Sequence, residues 1–435
     1  MAQLQIEGGT RLVGRVPISG SKNAVLPILA ACLLTDEECK LKNVPRIEDV
    51  YIMAQLLERM GATVEWSETD RQQLRVNPAG LARGDVLASL ASRMRASFLL
   101  MGPLLARRGE ARVAKPGGDD IGMRRVEQHL VGLRLMGARV ELEEGEFVAR
   151  ADRLKGATIH LDMPTVTGTE NLMMAAATAD GITTIHNAAR EPHVVDLALF
   201  LEKMGARLRG IGTDILQIDG VRELSGATHR VIPDNIEAGT YAIAIAATGG
   251  EGTVEDVDTN DLRAMILKLR ASGADVEDVG HALHVIGNGR LQPVDVTTWP
   301  HPGFPTDLQA PFVSLMTQAD GRCVVSEAVF ENRFQHVPEL RKLGADIYVE
   351  GRSAIISGPT ALHGGSVRVP DIRSGAALVV AALCARGTTV LGNVFHLDRG
   401  YEDLVAKLEA LGARITRVNG GPDEPRPDLS KVVGD

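Results

Sequence analysis

The pattern of apolar and polar positions predicts a pair of helices joined by a short strand. Val50, Met53, Leu57 and Met60 recur at the spacing of one helix face, which is typical of an amphipathic helix packed on a core. The preceding segment, KNAVLPILAACLL, is apolar on every side, which favours a fully buried helix. The segment CKLKNV between the two helices is predicted to be a strand.

This unit is repeated along the whole chain. A glycine followed by alanine and then by a strand pattern recurs at intervals of 68 to 76 residues, at Gly61, Gly137, Gly205, Gly273, Gly344 and Gly412. Glycine at the end of a helix commonly adopts the left-handed conformation that stops it. Each unit therefore reads helix–strand–helix–strand–strand, and six copies predict an α/β fold of two domains with three units each.

The domain boundaries follow from this division. A chain of 435 residues is too long for one compact core. We predict one domain in residues 22–231, which carries a glycine-rich loop, and a second in residues 232–418 together with residues 1–21. Residues 419–435 are polar and contain several Pro and Gly, so we expect a flexible tail.

Composition and charge narrow the function. The net charge of −9 argues against binding to nucleic acid or to an acidic membrane surface. The four cysteines lie far apart, without metal-ligand spacing, and no apolar run is long enough to span a membrane. We expect a cytoplasmic protein without a bound metal, and of the possible oligomeric states we favour a monomer.

Small, polar or charged residues precede each buried helix, in SGSKN, RMR, TVTGTEN, IEAGT, FPTDLQ and DIRSG. If the units are related by symmetry, the equivalent helix starts point the same way within each domain. Two facing domains would then direct several positive helix ends at one cleft, which suits an anionic ligand.

Nine segments in order resemble the enolpyruvyl transferases, and in particular those whose acceptor is UDP-N-acetylglucosamine. The matching segments are SGSKNAVLPILAACLL, RMRAS, PGGDDIG, TVTGTENLMMAA, NAAREPHVVDL, HPGFPTDLQA, FENRFQHVPEL, DIRSGAAL and HLDRGYEDL. The resemblance extends to about Val418 and implies the two-domain inverse α/β barrel of that family. The related shikimate-pathway enzymes are a weaker match, because their GNAGT-type and RPxP-type stretches are absent at the expected places.

The resemblance also implies the reaction. The family transfers the enolpyruvyl group of phosphoenolpyruvate to the 3′-hydroxyl of the nucleotide sugar, through a tetrahedral phospho-ketal, and releases phosphate in the first step of peptidoglycan synthesis. Such chemistry needs an acid at the methylene carbon, a base at the sugar hydroxyl and cations around the phosphate and carboxylate. It implies phosphoenolpyruvate and UDP-N-acetylglucosamine as partners, and no cofactor.

Matching positions carry the residue roles over from the family. For phosphoenolpyruvate the resemblance implies Lys22, Arg124, Arg373 and Arg399. For UDP-N-acetylglucosamine it implies the following set: Asn23, Arg95, Arg124, Arg125, Val126, Glu127, Thr165, Val166, Thr167, Asp307, Val329 and Arg333.

The catalytic set implied by the resemblance comprises Lys22, Asp119, Asp307 and Asp371. Asp307 is the proposed base at the sugar hydroxyl, although an aspartate in FPTDLQ also suits a helix N-cap. Asp371 matches a carboxylate that shapes the phosphoenolpyruvate pocket.

Asp119 departs from the family pattern, because most members carry a cysteine after Pro-Gly-Gly. In one interpretation Asp119 replaces the thiol as proton donor. Closure of the loop over bound substrates would then raise its pKa, as would Asp120 and the two anionic ligands, whereas Arg124 would lower it. In the other, the aspartates form a solvated turn in a protein that has lost activity. We favour the first, with the loop acting as a lid whose glycines give it freedom to close.

Two further expectations depend on such departures. Fosfomycin inhibits the family by alkylating the loop thiol, and a carboxylate is a poorer soft nucleophile, so we expect insensitivity. Some relatives carry lysine at the position of Met163. Transfer to another uridine nucleotide sugar therefore stays open as an alternative. A nucleotide-sugar-binding protein without turnover is a second alternative.

Overall fold

The computed structural model describes residues 2–82, 84–86, 88–123 and 126–418; the predicted tail at 419–435 lies outside this part. The described residues form fourteen α-helices: α1 Lys22–Ala31, α2 Glu48–Met60, α3 Ala88–Ala91, α4 Met101–Arg108, α5 Glu127–Leu135, α6 Val166–Ala176, α7 Pro192–Lys203, α8 Asn235–Ala247, α9 Arg263–Ala271, α10 Gln309–Met316, α11 Val337–Lys342, α12 Ile372–Cys384, α13 Phe395–Asp398 and α14 Leu404–Ala410.

The strands of the described residues are short. They are β1 Gln3–Glu7, β2 Val13–Pro17, β3 Cys39–Lys42, β4 Thr63–Trp66, β5 Leu74–Asn77, β6 Asp85–Val86, β7 Glu110–Ala114, β8 Arg139–Glu143, β9 Glu146–Arg150, β10 Thr158–His160, β11 Ile182–His186, β12 Arg207–Arg209, β13 Ile215–Asp219, β14 Thr228–Arg230, β15 Glu251–Glu255, β16 Asp275–Asp278, β17 Ala282–Ile286, β18 Val296–Thr297, β19 Gly321–Ser326, β20 Asp346–Glu350, β21 Ser353–Gly358, β22 Ser366–Arg368, β23 Thr388–Gly392 and β24 Arg414–Val418.

These strands pair into six four-stranded sheets of one design. In the second unit the order is β6-β7-β9-β8, with β6 parallel to β7 and the other pairings antiparallel. The six repeated units are confirmed, but the predicted unit lacked the parallel edge strand that precedes each buried helix. Most of these edge strands have only two or three residues, too few for an alternating pattern to be visible in the sequence.

The chain closes its sheets by exchanging strands between distant segments. β1 completes the last sheet, between β23 and β24, and β2 pairs with β15, so the N-terminus belongs with the second half of the chain. Conversely, β14 pairs with β3 of the first unit. Buried apolar side chains form one cluster from residues 24–231 and another from residues 4–18 and 236–415. The domain boundaries given above stay a prediction.

The helix predictions agree with the structure in their periodicity and in their ends. Val50, Met53, Leu57 and Met60 are buried on one face of α2. All six glycines of the repeat have a positive φ, between 82° and 110°. A side chain would be strained in this conformation, which explains why glycine recurs at these positions.

The buried helix of the second unit differs from the prediction. Residues Arg95–Leu100 form a 3₁₀-helix, and the α-helix begins only at Met101. Pro103 follows and lacks the N–H group that a longer α-helix would donate to the carbonyl of Leu99. Within the part of the chain described, no helix combines the length and the hydrophobicity that a membrane span requires.

The helix-end glycines give a direct test of the repeat. A Cβ atom added to Gly205 would meet no heavy atom within 4 Å, so the positive φ of 104° is the main obstacle to a side chain. We expect Gly205→Ala to lower the free energy of unfolding by about 1 kcal/mol, because of left-handed strain. Gly205→Asn should lose less, since asparagine tolerates this conformation better. Urea unfolding of both variants measures this, and an alanine variant as stable as wild type would contradict it.

Candidate active site

The starts of all six buried helical segments line one cleft of about 970 Å³ between the two apolar clusters. The residues at these starts are Lys22, Arg95, Val166, Asn235, Asp307 and Arg373. This confirms the expectation that helix starts converge on one site. The partial positive charges of helix starts favour an anionic ligand there.

A buried aspartate joins two cations that come from opposite sides of the cleft. Asp49 lies in the first turn of α2, and its Oδ2 is 2.9 Å from the Nζ of Lys22. Its Oδ1 accepts a hydrogen bond of 2.9 Å from the Nε of Arg399. Sequence reasoning missed Asp49. The available signal was an acidic residue on the buried face of α2, four positions before Met53.

Asp119 is paired with the same arginine. The Nη1 of Arg399 donates a hydrogen bond of 2.6 Å to Oδ1 of Asp119. Burial alone would raise the pKa of Asp119, but the charges of Arg399 and Lys22 outweigh it and hold the pKa below its usual value. In this arrangement Asp119 is a carboxylate, and the upward pKa shift expected when the loop closes over both substrates stays a prediction.

The loop that carries Asp119 lies against the second half of the chain. The side chains of Asn332 and Gln335 donate hydrogen bonds to the backbone carbonyl of Asp120, and the Asn332 N–H donates to the carbonyl of Ile121 at 3.1 Å. A Cβ added to Gly122 would approach a carboxylate oxygen of Glu331 to 2.1 Å. The loop therefore covers one end of the cleft, as a lid would.

Asp307 is held by two arginines. The Nε and Nη2 atoms of Arg373 bind its Oδ2 at 3.0 and 2.9 Å, and the Nη2 of Arg333 donates to its Oδ1 at 2.6 Å. Burial raises the pKa of Asp307, but Arg373 and Arg333 lower it more, to well below its usual range. The residue lies inside the short 3₁₀-helix Thr306–Leu308, whose N-cap is Pro305, so the alternative role as an N-cap is wrong.

Asp371 instead acts as a helix cap. It precedes α12, and its Oδ1 accepts hydrogen bonds from the backbone N–H groups of Arg373 and Ser374 at 2.9 and 3.0 Å. Its Oδ2 accepts from the Ser374 hydroxyl. Asp371 thus fixes the helix start from which Arg373 reaches Asp307.

Most of the remaining predicted residues line the cleft. They are Asn23, Arg95, Glu127, Thr165, Val166, Thr167, Val329 and Arg333. Val126 is buried next to the cleft, at the start of α5, and is not part of its lining. Arg124 and Arg125 lie outside the described residues. Among the residues that are described, no group of three His, Cys, Asp or Glu is arranged to hold a metal ion.

A buried histidine supports the α6 side of the cleft. His129 Nδ1 accepts from the Asn171 side-chain amide at 3.1 Å, so its Nε2 carries the proton and donates to the Thr167 hydroxyl at 3.3 Å. Burial and nearby Arg95 lower the pKa of His129 to about 3. Sequence reasoning missed this role, since a histidine within a helix has no motif of its own.

The chain matches known proteins over nearly its full length. Residues 6–408 match the family model described as EPSP synthase (3-phosphoshikimate 1-carboxyvinyltransferase). The UDP-N-acetylglucosamine 1-carboxyvinyltransferase 2 of Carboxydothermus hydrogenoformans is 50% identical over 96% of this chain and 100% of its own length. The UDP-N-acetylglucosamine 1-carboxyvinyltransferase of Halothermothrix orenii is 46% identical, over 96% of this chain and 100% of its own length.

A solved structure agrees with the fold. The enolpyruvyl transferase NikO from Streptomyces tendae superimposes with a TM-score of 0.86 at 27% identity, covering 97% of this chain and 99% of its own. The chain belongs to the enolpyruvyl transferase family that the EPSP synthase model describes. Both relatives described above are named for transfer to UDP-N-acetylglucosamine.

The buried His129 predicts a pH dependence of stability. Its pKa is about 3 in the folded chain and about 6.5 when unfolded. Below pH 6.5 the unfolded state therefore binds a proton at this residue that the folded state does not bind. Stability should fall from pH 6.5 toward pH 3, by about 2 kcal/mol at pH 5. His129→Gln should lose less stability than wild type between pH 7 and pH 5 in urea unfolding. Equal profiles for wild type and His129→Gln would contradict this.

Proposed function

We propose that this chain transfers the enolpyruvyl group of phosphoenolpyruvate to the 3′-hydroxyl of UDP-N-acetylglucosamine and releases phosphate. The observation that carries the proposal is the group of Lys22, Arg399 and Arg373, which meets Asp119 and Asp307 in one cleft lined by six helix starts. Relatives named for this activity share about half of the sequence over nearly the whole chain.

The anionic substrate exchanges places with the carboxylates of the site. Phosphoenolpyruvate carries a phosphate and a carboxylate, and arginine binds both groups well because its planar fork offers paired N–H donors. In the described arrangement Arg399 is occupied by Asp119, and Arg373 by Asp307. A substrate that takes over these arginines adds negative charge beside both aspartates and removes their counter-ions. Both changes raise the pKa of Asp119 and Asp307.

Asp119 is the acid in this scheme. Once its pKa has risen in the closed, dry cleft, it donates a proton to the methylene carbon of phosphoenolpyruvate. The 3′-oxygen of the sugar then forms a bond to the neighbouring carbon, which gives the tetrahedral phospho-ketal. The Asp119 carboxylate then takes a proton back from the new methyl group while phosphate departs, which restores both the double bond and the acid.

Asp307 is the base that receives the hydroxyl proton. A carboxylate held by two arginines is a weak base, so the exchange of Arg373 to the substrate is what makes this role possible. The positive charges of Lys22 and Arg399 stabilise the phosphate as it leaves. Asp371 contributes indirectly, by capping the helix that carries Arg373.

The nucleotide sugar occupies the opposite side of the cleft. The hydroxyl groups and backbone donors of residues 165–167, with Asn23, suit a diphosphate and a sugar. By family resemblance Arg124, Arg125, Val126 and Glu127 also bind the nucleotide sugar, and of these Glu127 lines the cleft. Met163 lines the cleft with half of its side chain exposed and offers no charge to the diphosphate. The choice of UDP-N-acetylglucosamine over another acceptor, a monomeric state and a cytoplasmic location remain predictions.

Phosphate release tests the reaction and the role of Asp119 together. Wild type should release phosphate when both substrates are mixed, and Asp119→Asn should be slower by about 10²- to 10⁴-fold because it lacks an acid. Asp119→Cys should stay active and keep its activity to higher pH, since a thiol retains its proton to about pH 8.5. Wild-type activity should decline at lower pH than that of the cysteine variant.

The same assay separates the alternatives. Shikimate 3-phosphate in place of UDP-N-acetylglucosamine should give no phosphate release. Turnover by Asp119→Cys alone would mean that the wild-type chain binds without turnover. An Asp119→Asn variant as fast as wild type would remove Asp119 from the mechanism while leaving the activity in place.

Fosfomycin provides an independent test of the loop. A carboxylate reacts poorly with the epoxide, whereas a thiolate reacts well, so wild type should show no time-dependent inactivation. Asp119→Cys should become sensitive, and either substrate bound in the cleft should alter its rate of inactivation. A covalent adduct on Asp119 in the wild-type protein, detected by mass spectrometry, would overturn this expectation.

A further inference from the structure

The ion pairs of the cleft include the carboxylate of Asp49, which has no part in the proposed mechanism. We infer that Asp49 is a positioning residue, which fixes the ammonium of Lys22 and the guanidinium of Arg399 at one spacing as a joint site for the phosphate of phosphoenolpyruvate. The inference rests on the proposed function and assigns this residue within its site.

Geometry is the first support. Asp49 is only 1% exposed, and its two oxygens are divided between the two cations: Oδ1 with Arg399 Nε at 2.9 Å, Oδ2 with Lys22 Nζ at 2.9 Å and with Arg399 Nη2 at 3.4 Å. The two cations are also buried, with side chains 11% and 6% exposed. Two buried like charges need a shared counter-ion, because each would otherwise repel the other in a poorly screened site.

The second support is that Arg399 uses different nitrogen atoms for its two carboxylate partners. Its Nε and Nη2 face Asp49, while its Nη1 faces Asp119 on the lid. Asp49 belongs to a regular helix, whose start also favours its negative charge. Asp119 belongs to a loop. The contact with Asp49 can therefore persist while a substrate anion replaces Asp119 at Nη1.

The third support is that Asp49 joins the two halves of the chain at the reacting end of the cleft. Lys22 begins α1 in the first apolar cluster, whereas Arg399 follows α13 in the second. The stem of Lys22 also passes close to Gly400, where an added Cβ would lie 3.8 Å from the Lys22 Cδ. Asp49 thus sets how the cations of the two halves meet, and a phosphate placed between them depends on this spacing.

Asp49→Asn keeps the shape of the side chain and removes its charge. Misplacement of a binding group by about 1 Å can cost about 100-fold, so we expect kcat/KM for phosphoenolpyruvate to fall by about this factor. KM for UDP-N-acetylglucosamine should not change, because the ion pairs of Asp49 are with Lys22 and Arg399, which are assigned to phosphoenolpyruvate. Phosphoenolpyruvate alone should also raise the Tm of the variant less than that of wild type, since stabilisation follows affinity.

A matched control comes from a second buried ion pair that bridges distant segments. Glu237 Oε1 lies 2.6 Å from Lys407 Nζ, and neither residue lines the cleft. Glu237→Gln should lower Tm without changing KM for phosphoenolpyruvate. A purely structural role of Asp49 would give Asp49→Asn this same behaviour, and that result would overturn the inference.

Asp49→Glu keeps the test decisive if the asparagine variant does not fold. The longer side chain retains the charge but moves it by one methylene, so KM for phosphoenolpyruvate should rise. If both variants fold, this rise should be smaller in Asp49→Glu than in Asp49→Asn. An unchanged KM for phosphoenolpyruvate in Asp49→Glu would overturn the inference. If wild type itself releases no phosphate, the proposed function fails, which is distinct from failure of the role of Asp49.

Discussion

The cleft is organised by one electrostatic constraint: positive charge that is concentrated for an anionic substrate must be balanced when buried. Six helix starts and the side chains of Lys22, Arg373 and Arg399 face the same space. Cations this deeply buried are stable only with partners of opposite charge. Asp49, Asp119 and Asp307 supply these partners, at distances of 2.6 to 2.9 Å from the cations.

This balance explains why carboxylates can serve as acid and base in a site built to bind anions. With arginine partners, Asp119 and Asp307 both have a lowered pKa. Displacement of these partners by substrate phosphate and carboxylate reverses the local charge around each aspartate. Binding and proton transfer then become coupled, because the groups that react are those that the substrate displaces. A lid with aspartate at its tip can hold Arg399 by charge in a way that a neutral thiol cannot.

Local rules account for what the sequence predicted, and long-range contacts for what it did not. The glycines at 61, 137, 205, 273, 344 and 412 each end a helix in the left-handed conformation, which is a local requirement. The repeat and the amphipathic helices could therefore be predicted from the sequence. The edge strand β6 has two residues and depends on pairing with β7, which leaves no pattern of its own. Asp49 is informative only once Lys22 and Arg399 surround it, and these lie 27 and 350 residues away in the sequence. The pairing of Asp307 with Arg333 and Arg373 is likewise a long-range contact, whereas a helix cap is a local role.

The chain crosses between its two halves in two segments, and these segments explain why the site forms where it does. They run side by side: the Ser21 N–H donates to the carbonyl of Ile232 at 2.7 Å, and the Asp234 N–H donates to the carbonyl of Ser19 at 2.9 Å. Asp234, which caps α8, also accepts a hydrogen bond of 3.0 Å from the backbone N–H of Lys22. The backbone of Lys22 is therefore fixed by the second half of the chain and its side chain by Asp49 of the first. A cation held from both halves at the junction between them can keep its place when the cleft opens or closes, which is what a phosphate site shared by two domains requires.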